Sequence, residues 1–224
     1  MGSNLSGNKI VKILALGDSL TEGYNSRGYF GKPFHPYTIA LQSLLAERFP
    51  AVTFEIANFG SSGERAVDMP ARLDLAFEQV EADIAVFLGG TNDIGWGANK
   101  RGKTAEAVGQ EVGNAIADAI ERMAAAAEKR GTVSLLLTPF EHGAEARSDF
   151  GHGLVARTVL RDRLAAFAAE HADTTTLFDL GAAMPFDNAL FGDLLHPTPE
   201  GYDHMGKLVF EALIPIVEKL VNKP

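Results

Sequence analysis

Short apolar, β-rich runs alternate along the chain with longer stretches in which apolar residues recur at helical spacing. Ile10 to Leu16 is the first such run; it stops at Gly17 and passes to polar Asp18 and Ser19. A helical pattern from Tyr37 to Phe49, with Ile39, Ala40, Leu44 and Leu45 in register, ends at Pro50. Val52 to Ala57 predicts a second strand, followed by a helix from about Val67 to Val80. Ile84 to Leu88 predicts a third strand, which breaks at Gly89-Gly90-Thr91-Asn92-Asp93 before a polar loop from Gly95 to Lys103. Thr104 opens an alanine-rich helix reaching Lys129, with Gly131 as its stop. Val133 to Leu137 forms strand four, Phe140 to Gly153 an irregular candidate lid, and about Leu154 to His171 a further helix. Thr175 to Asp179 is strand five and Pro185 to Leu195 a loop. Thr198 then reads as an N-cap with Pro199 at the first helical position, and the helix it opens should bend or restart near Pro215.

Five strands alternating with helices at this spacing predict a parallel, doubly wound sheet in one three-layer α/β/α domain. Its expected extent is residues 9–224, after a flexible N-terminal segment of residues 1–8. At 224 residues the chain is long enough to bury a substantial core.

Charge and composition narrow the range of partners. With 20 basic against 29 acidic residues the formal charge is −9, and no basic cluster interleaves with aromatics, which argues against nucleic acid and anionic membrane surfaces. The absence of cysteine excludes disulfides, thiolate nucleophiles and thiolate metal sites. No apolar run is long enough to span a bilayer, and Met1 to Ser6 lack the apolar core of a secretory signal, so the expected location is cytoplasmic. His35, His142, His152, His171 and His204 lack metal-site spacing, and neither a metal nor a cofactor is expected. His142 and His152 fall in the candidate lid and read as surface residues.

In a parallel sheet the polar clusters after strands one, two and three and before the last helix share one edge, the edge where open α/β sheets place their chemistry. Each has a plain structural reading: Asp18 or Ser19 as a helix cap, Gly60 as a residue with positive φ, Asn92 and Asp93 as a turn, Asp193 as a turn cap, His196 as a structural histidine. Together they hold the parts of an acyl-transfer site. Ser19 is the candidate nucleophile, His196 the base that removes its proton, and Asp193, three residues earlier, the carboxylate that orients the imidazole. The backbone N–H groups of Ser19 and Gly60 and the amide of Asn92 are candidate oxyanion donors.

The four blocks Gly17-Asp18-Ser19-Leu20, Asn58-x-Gly60, Gly89-Gly90-Thr91-Asn92-Asp93 and Asp193-x-x-His196-Pro197 resemble, in order and spacing, those of the SGNH (GDSL-type) hydrolase family of esterases and lipases. The resemblance implies a five-stranded flavodoxin-like sheet, catalysis by Ser19, His196 and Asp193, an oxyanion hole from Ser19, Gly60 and Asn92, and no metal. The expected activity is hydrolysis of carboxylic esters through an acyl-enzyme; acyl transfer to another alcohol uses the same machinery and is the alternative. A small-molecule ester is the expected substrate. Aromatic loops at Tyr24 to Phe34, Ile94 to Gly97, Phe140 to Phe150 and Phe186 to Phe191 suit a short acyl or aryl group, and Lys32, Arg65 and Arg147 are cations placed to lie near the cleft.

One rival of a different class stands in the sequence. Gly97-Ala98-Asn99-Lys100-Arg101-Gly102-Lys103-Thr104 satisfies the phosphate-loop pattern before a helix, which would make the chain a nucleotide-binding protein. Against it, Gly89 to Trp96 separate the motif from the strand it should leave directly.

Overall fold

The computed structural model describes residues 9–24, 34–97, 102–141, 143 and 151–222. Its strands are β1 (Lys9–Gly17), β2 (Val52–Gly60), β3 (Ile84–Leu88), β4 (Val133–Leu137) and β5 (Thr175–Phe178). All pair in parallel in the order β2-β1-β3-β4-β5, the flavodoxin-like order. The chain therefore reverses its direction of travel across the sheet between β1 and β3, the switch point beyond whose carboxyl ends open α/β sheets place their sites.

The helices are α1 (Ser19–Glu22), α2 (Tyr37–Arg48), α3 (Pro70–Gln79), α4 (Thr91–Gly97), α5 (Ala105–Glu128), α6 (Gly151–Glu170), α7 (Leu180–Ala183) and α8 (Pro199–Val221). Alternation along each strand sends side chains to two cores. Val11, Ile13 and Ala15 of β1 join Val86, Leu135, Leu41 and Val209 beneath α2 and α8. Leu14 and Leu16 join Phe87, Leu136, Leu73, Ile116 and Leu160 beneath α3, α5 and α6. Both faces of the sheet are thus covered, as a parallel sheet requires.

The departures from the sequence reading have local causes. Strand β2 runs three residues past Ala57, because its register with β1 continues through Asn58 and Phe59 to the Gly17–Gly60 pair. Residues Thr91 to Gly97, expected as a turn and loop, form α4 despite two glycines. The helix α8 runs through Pro215 without a break. The imino acid sits on an exposed face, where water can take the carbonyl it leaves unpaired. His152, expected on the surface, is buried, and its Nε2 lies 2.8 Å from the Ile94 carbonyl. The expected N-terminal segment, most of the candidate lid with His142, and four residues of the phosphate-loop match lie outside the described residues. No described helix is long and apolar enough to cross a membrane.

Candidate active site

Ser19 leaves the end of β1 as the first residue of α1, with Asp18 as N-cap accepting the Leu20 N–H at 2.9 Å. As the first helical residue, Ser19 has a backbone N–H without an acceptor inside the helix. Gly17 makes the sharp departure possible: a Cβ there would lie 2.2 Å from Thr21 Oγ1 and 2.5 Å from the Leu88 carbonyl. Buried Tyr202 of α8 donates to the Tyr24 carbonyl at 2.5 Å and to the Ser19 carbonyl at 3.4 Å, fixing the far side of this single turn.

The Ser19 hydroxyl lies 3.1 Å from His196 Nε2, across 177 positions of sequence. Behind it, His196 Nδ1 lies 3.0 Å from Asp193 Oδ2. The other oxygen of Asp193 accepts the N–H groups of Leu195 and His196 at 2.7 and 2.6 Å, so the carboxylate and the imidazole belong to one folded-back loop. A bridge between Phe191 and Pro197, with the Gly192 N–H donating to the His196 carbonyl at 2.8 Å, closes that loop. Partial burial opposes ionisation of Asp193, but the hydrogen bonds from the His196 side chain and from the His196 and Leu195 backbones prevail and bring its pKa down to about 2. The Tyr24 ring meets the His196 ring edge-on, 4.6 Å between centroids.

Gly60 closes β2 opposite Gly17, and a Cβ on it would fall 2.0 Å from the Glu22 backbone nitrogen, so only glycine fits. Its N–H donates to Asn58 Oδ1 at 2.9 Å, while Asn58 Nδ2 donates to the Thr21 carbonyl at 2.6 Å. Asn92 Nδ2 donates to the Glu64 carbonyl at 2.8 Å, and its second amide hydrogen is not used by that bond. Asp93 is buried with Oδ2 accepting the Ala66 N–H at 2.7 Å, and desolvation raises its pKa. The pair Asn92 and Asp93 therefore pins the loop after β2 onto α4 rather than forming a bare turn.

The aromatic residues divide between surface and core. Phe140 and Phe191 meet edge-on at 5.4 Å and are buried, so they support the site from the core instead of lining it, as the sequence had suggested. Trp96 is 61% exposed on α4, with the Arg65 guanidinium 5.0 Å from its ring centroid; Arg65 also binds Asp68. Lys32 and Arg147 lie outside the described residues. Among the described residues no group of three or more His, Cys, Asp or Glu side chains could hold a metal ion. In the phosphate-loop match, Lys103 pairs with Glu111 at 2.5 Å and the Thr104 hydroxyl caps α5 by accepting the Ala107 N–H.

Asn58 and Arg72 were not singled out as site residues by sequence pattern. Arg72 reaches from α3 to the ends of β1 and β2, donating to the Gly17 and Phe59 carbonyls and to the Glu64 carboxylate.

A model of the GDSL-like lipase/acylhydrolase family matches residues 15–204. No curated protein matches at a significant level. Among solved structures, a catalytic mutant of Axe2, an acetylxylan esterase from Geobacillus stearothermophilus, is similar with a TM-score of 0.71 at 18% identity, covering 94% of this chain and 97% of that one. The lipase Lip_vut3 from a goat rumen metagenome gives 0.71 at 20% identity over 90% of this chain and 97% of its own. TesA gives 0.66 at 18% identity over 91% of this chain and 98% of its own. These likenesses show a shared fold.

Proposed function

The chain belongs to the GDSL-like lipase/acylhydrolase family, an esterase or lipase class of enzyme, and from that premise we propose that it cleaves carboxylic esters with short acyl groups through an acyl-enzyme on Ser19. The observation that carries the reading is the unbroken hydrogen-bonded chain from the Ser19 hydroxyl through the His196 ring to Asp193.

A serine hydroxyl attacks a carbonyl only as its proton leaves, and His196 Nε2 is within reach to take it. Asp193 receives the opposite ring N–H, holds the tautomer that leaves Nε2 free to accept, and stabilises the imidazolium that forms. Its lowered pKa keeps it ionised while it does so. The tetrahedral intermediate carries its charge on the former carbonyl oxygen, which the Ser19 and Gly60 N–H groups and the free amide hydrogen of Asn92 receive. At rest Asn58 Oδ1 holds the Gly60 N–H, and an oxyanion draws that donor more strongly than a neutral amide oxygen does. His196 then returns its proton to the leaving alcohol, and water repeats the sequence on the acyl-enzyme. The acetylxylan esterase among the fold's solved relatives supports an acetyl-sized acyl group.

Hydrolysis of p-nitrophenyl acetate tests the reading. Ser19→Ala is expected to lower kcat by about 10⁴-fold or more, as loss of a triad nucleophile does elsewhere. Retention of the wild-type rate in that variant overturns the proposal, and a rate that climbs with acyl length from acetate to octanoate overturns the short-acyl part of it.

A further inference from the structure

Arg72 is the third residue of α3, a position from which an arginine would ordinarily extend into solvent. Instead its Nη2 donates to the Phe59 carbonyl at 2.9 Å and to the Gly17 carbonyl at 3.1 Å. Its Nε donates to Glu64 Oε1 at 2.7 Å, and Nη2 also meets Glu64 Oε2, completing a two-pronged pair with the carboxylate. The two partners are largely covered, with side-chain exposures of 27% and 13%.

Each contact falls one step behind a group assigned above to the oxyanion site. Phe59 C=O and Gly60 N–H are the two ends of one planar peptide unit, so holding the carbonyl fixes the direction of the N–H. Gly17 C=O belongs to the residue that launches Asp18 and Ser19. Glu64, the ion-pair partner, offers its own backbone carbonyl to Asn92 Nδ2 at 2.8 Å. One guanidinium therefore ties together the three segments that carry Ser19, Gly60 and Asn92.

The sheet does not depend on this brace. Strand β1 already pairs with β2 as far as Gly17 and Gly60, and the Ser61 N–H donates to the Gly17 carbonyl at 3.0 Å. What Arg72 adds lies at the catalytic edge alone. A cation on the Phe59 carbonyl also polarises the peptide and strengthens its N–H as a donor. We infer that Arg72 is a positioning residue that sets the oxyanion site, acting through the peptide between Phe59 and Gly60 and through the Glu64 link to Asn92. The inference rests on the acyl-enzyme reading above.

The test uses Arg72→Lys, which keeps the charge but lacks the planar fork that reaches Gly17, Phe59 and Glu64 together. Glu64→Gln is the second variant; it loosens the guanidinium while leaving the backbone carbonyl that holds Asn92. For each, kcat and KM on p-nitrophenyl acetate are measured beside the inhibition constant of phenylboronic acid, whose tetrahedral adduct with a serine places an oxygen in the oxyanion site. Arg72→Lys is expected to lower kcat about ten- to a hundredfold, short of deleting a donor outright, and to weaken the boronate in proportion. Its KM is expected to stay within about twofold, because the interaction forms in the transition state and not in the ground state. Glu64→Gln is expected to move both quantities in the same direction by less. An unchanged kcat in Arg72→Lys overturns the inference. So does a lower kcat with unchanged boronate affinity, since a variant that is merely less well folded reduces turnover without discriminating against the tetrahedral state. If Ser19→Ala retains activity, the acyl-enzyme reading falls and this inference with it; if Ser19→Ala is inactive and Arg72→Lys is not impaired, this inference falls alone.

Discussion

Asp18 is fully buried beside Ser19, with Oδ1 capping α1 and Oδ2 without a hydrogen-bond partner among the described residues. Desolvation raises its pKa to about 7; the Leu20 N–H opposes that rise, and the nearby charges of Asp93 and Glu64 add to it. The native state therefore favours the protonated acid. Its contribution to stability is complete below the ordinary value of 3.8 and is lost as pH climbs to about 7. Asp18→Asn keeps an acceptor for Leu20 and cannot ionise. Relative to wild type, its melting temperature is expected to rise between about pH 4 and pH 7 and to hold level above. A constant offset across that range in thermal melts would refute the assignment. Asp193 has the opposite sign, since its lowered pKa stabilises the fold above 3.8 and that contribution fades only toward pH 2. Ser19, Asp193 and His196 were legible in the sequence because each sits in a short polar block at a strand end or before a helix. Arg72 was not, and Asn58 was legible only as a member of the Asn58-x-Gly60 block, without a role of its own. An arginine in the first turn of a helix looks the same whether it faces water or braces two strand ends, and only the tertiary fold tells them apart.

At the level of elements, the long pairing of α5 with α6 depends on two glycines four residues apart. A Cβ on Gly109 would lie 2.4 Å from the Val155 Cβ, and one on Gly113 would lie 2.6 Å from the Ala156 carbonyl oxygen. Helical spacing puts both on one stripe, which lets the two backbones approach closely. Gly113→Val is expected to destabilise the protein by about 1–3 kcal/mol by forcing the helices apart. Chemical denaturation checks this, and a gain in stability, the usual result of replacing a helical glycine where space allows, would show the contact to be slack. The same helix pair explains why α4 escaped the sequence reading. Gly95 and Gly97 signal a loop, yet buried His152 at the start of α6 holds the Ile94 carbonyl, and a Cβ on Gly97 would come within 3.0 Å of its ring. Local glycine preference favours an open chain there, and tertiary contact overrules it. All five strands are legible because apolar or β-rich runs bounded by Gly, Pro or Asp leave little choice; their ends move wherever pairing carries polar residues such as Asn58 into the sheet.

For the molecule as a whole, the strand order brings Gly17, Gly60 and Leu88 to adjacent places on one edge, so that blocks far apart in sequence converge. A protonated His196 could not accept the serine proton, so on the proposed mechanism kcat/KM is expected to show a falling acid limb. With Asp193 ionised down to about 2, its own protonation adds nothing to that limb near neutrality. The limb should survive in Asp18→Asn, which assigns it to the imidazole; a pH-independent rate with chemistry limiting would contradict the role of His196. The three-layer class and the site edge could be read from alternation and spacing alone, whereas the division of aromatics between core and cleft could not. Phe140 and Phe191 carry no mark of their burial in the sequence.

The distance along the chain between Ser19 and His196 has a consequence for synthesis. The proposed nucleophile, Ser19, directly follows the first strand of the sheet, but its proposed base lies beyond the fifth, in the loop that precedes α8. A growing chain can therefore assemble its whole sheet and still be chemically inert. On the proposed mechanism, hydrolytic competence arrives as one event, when the segment carrying His196 folds back onto the end of β1.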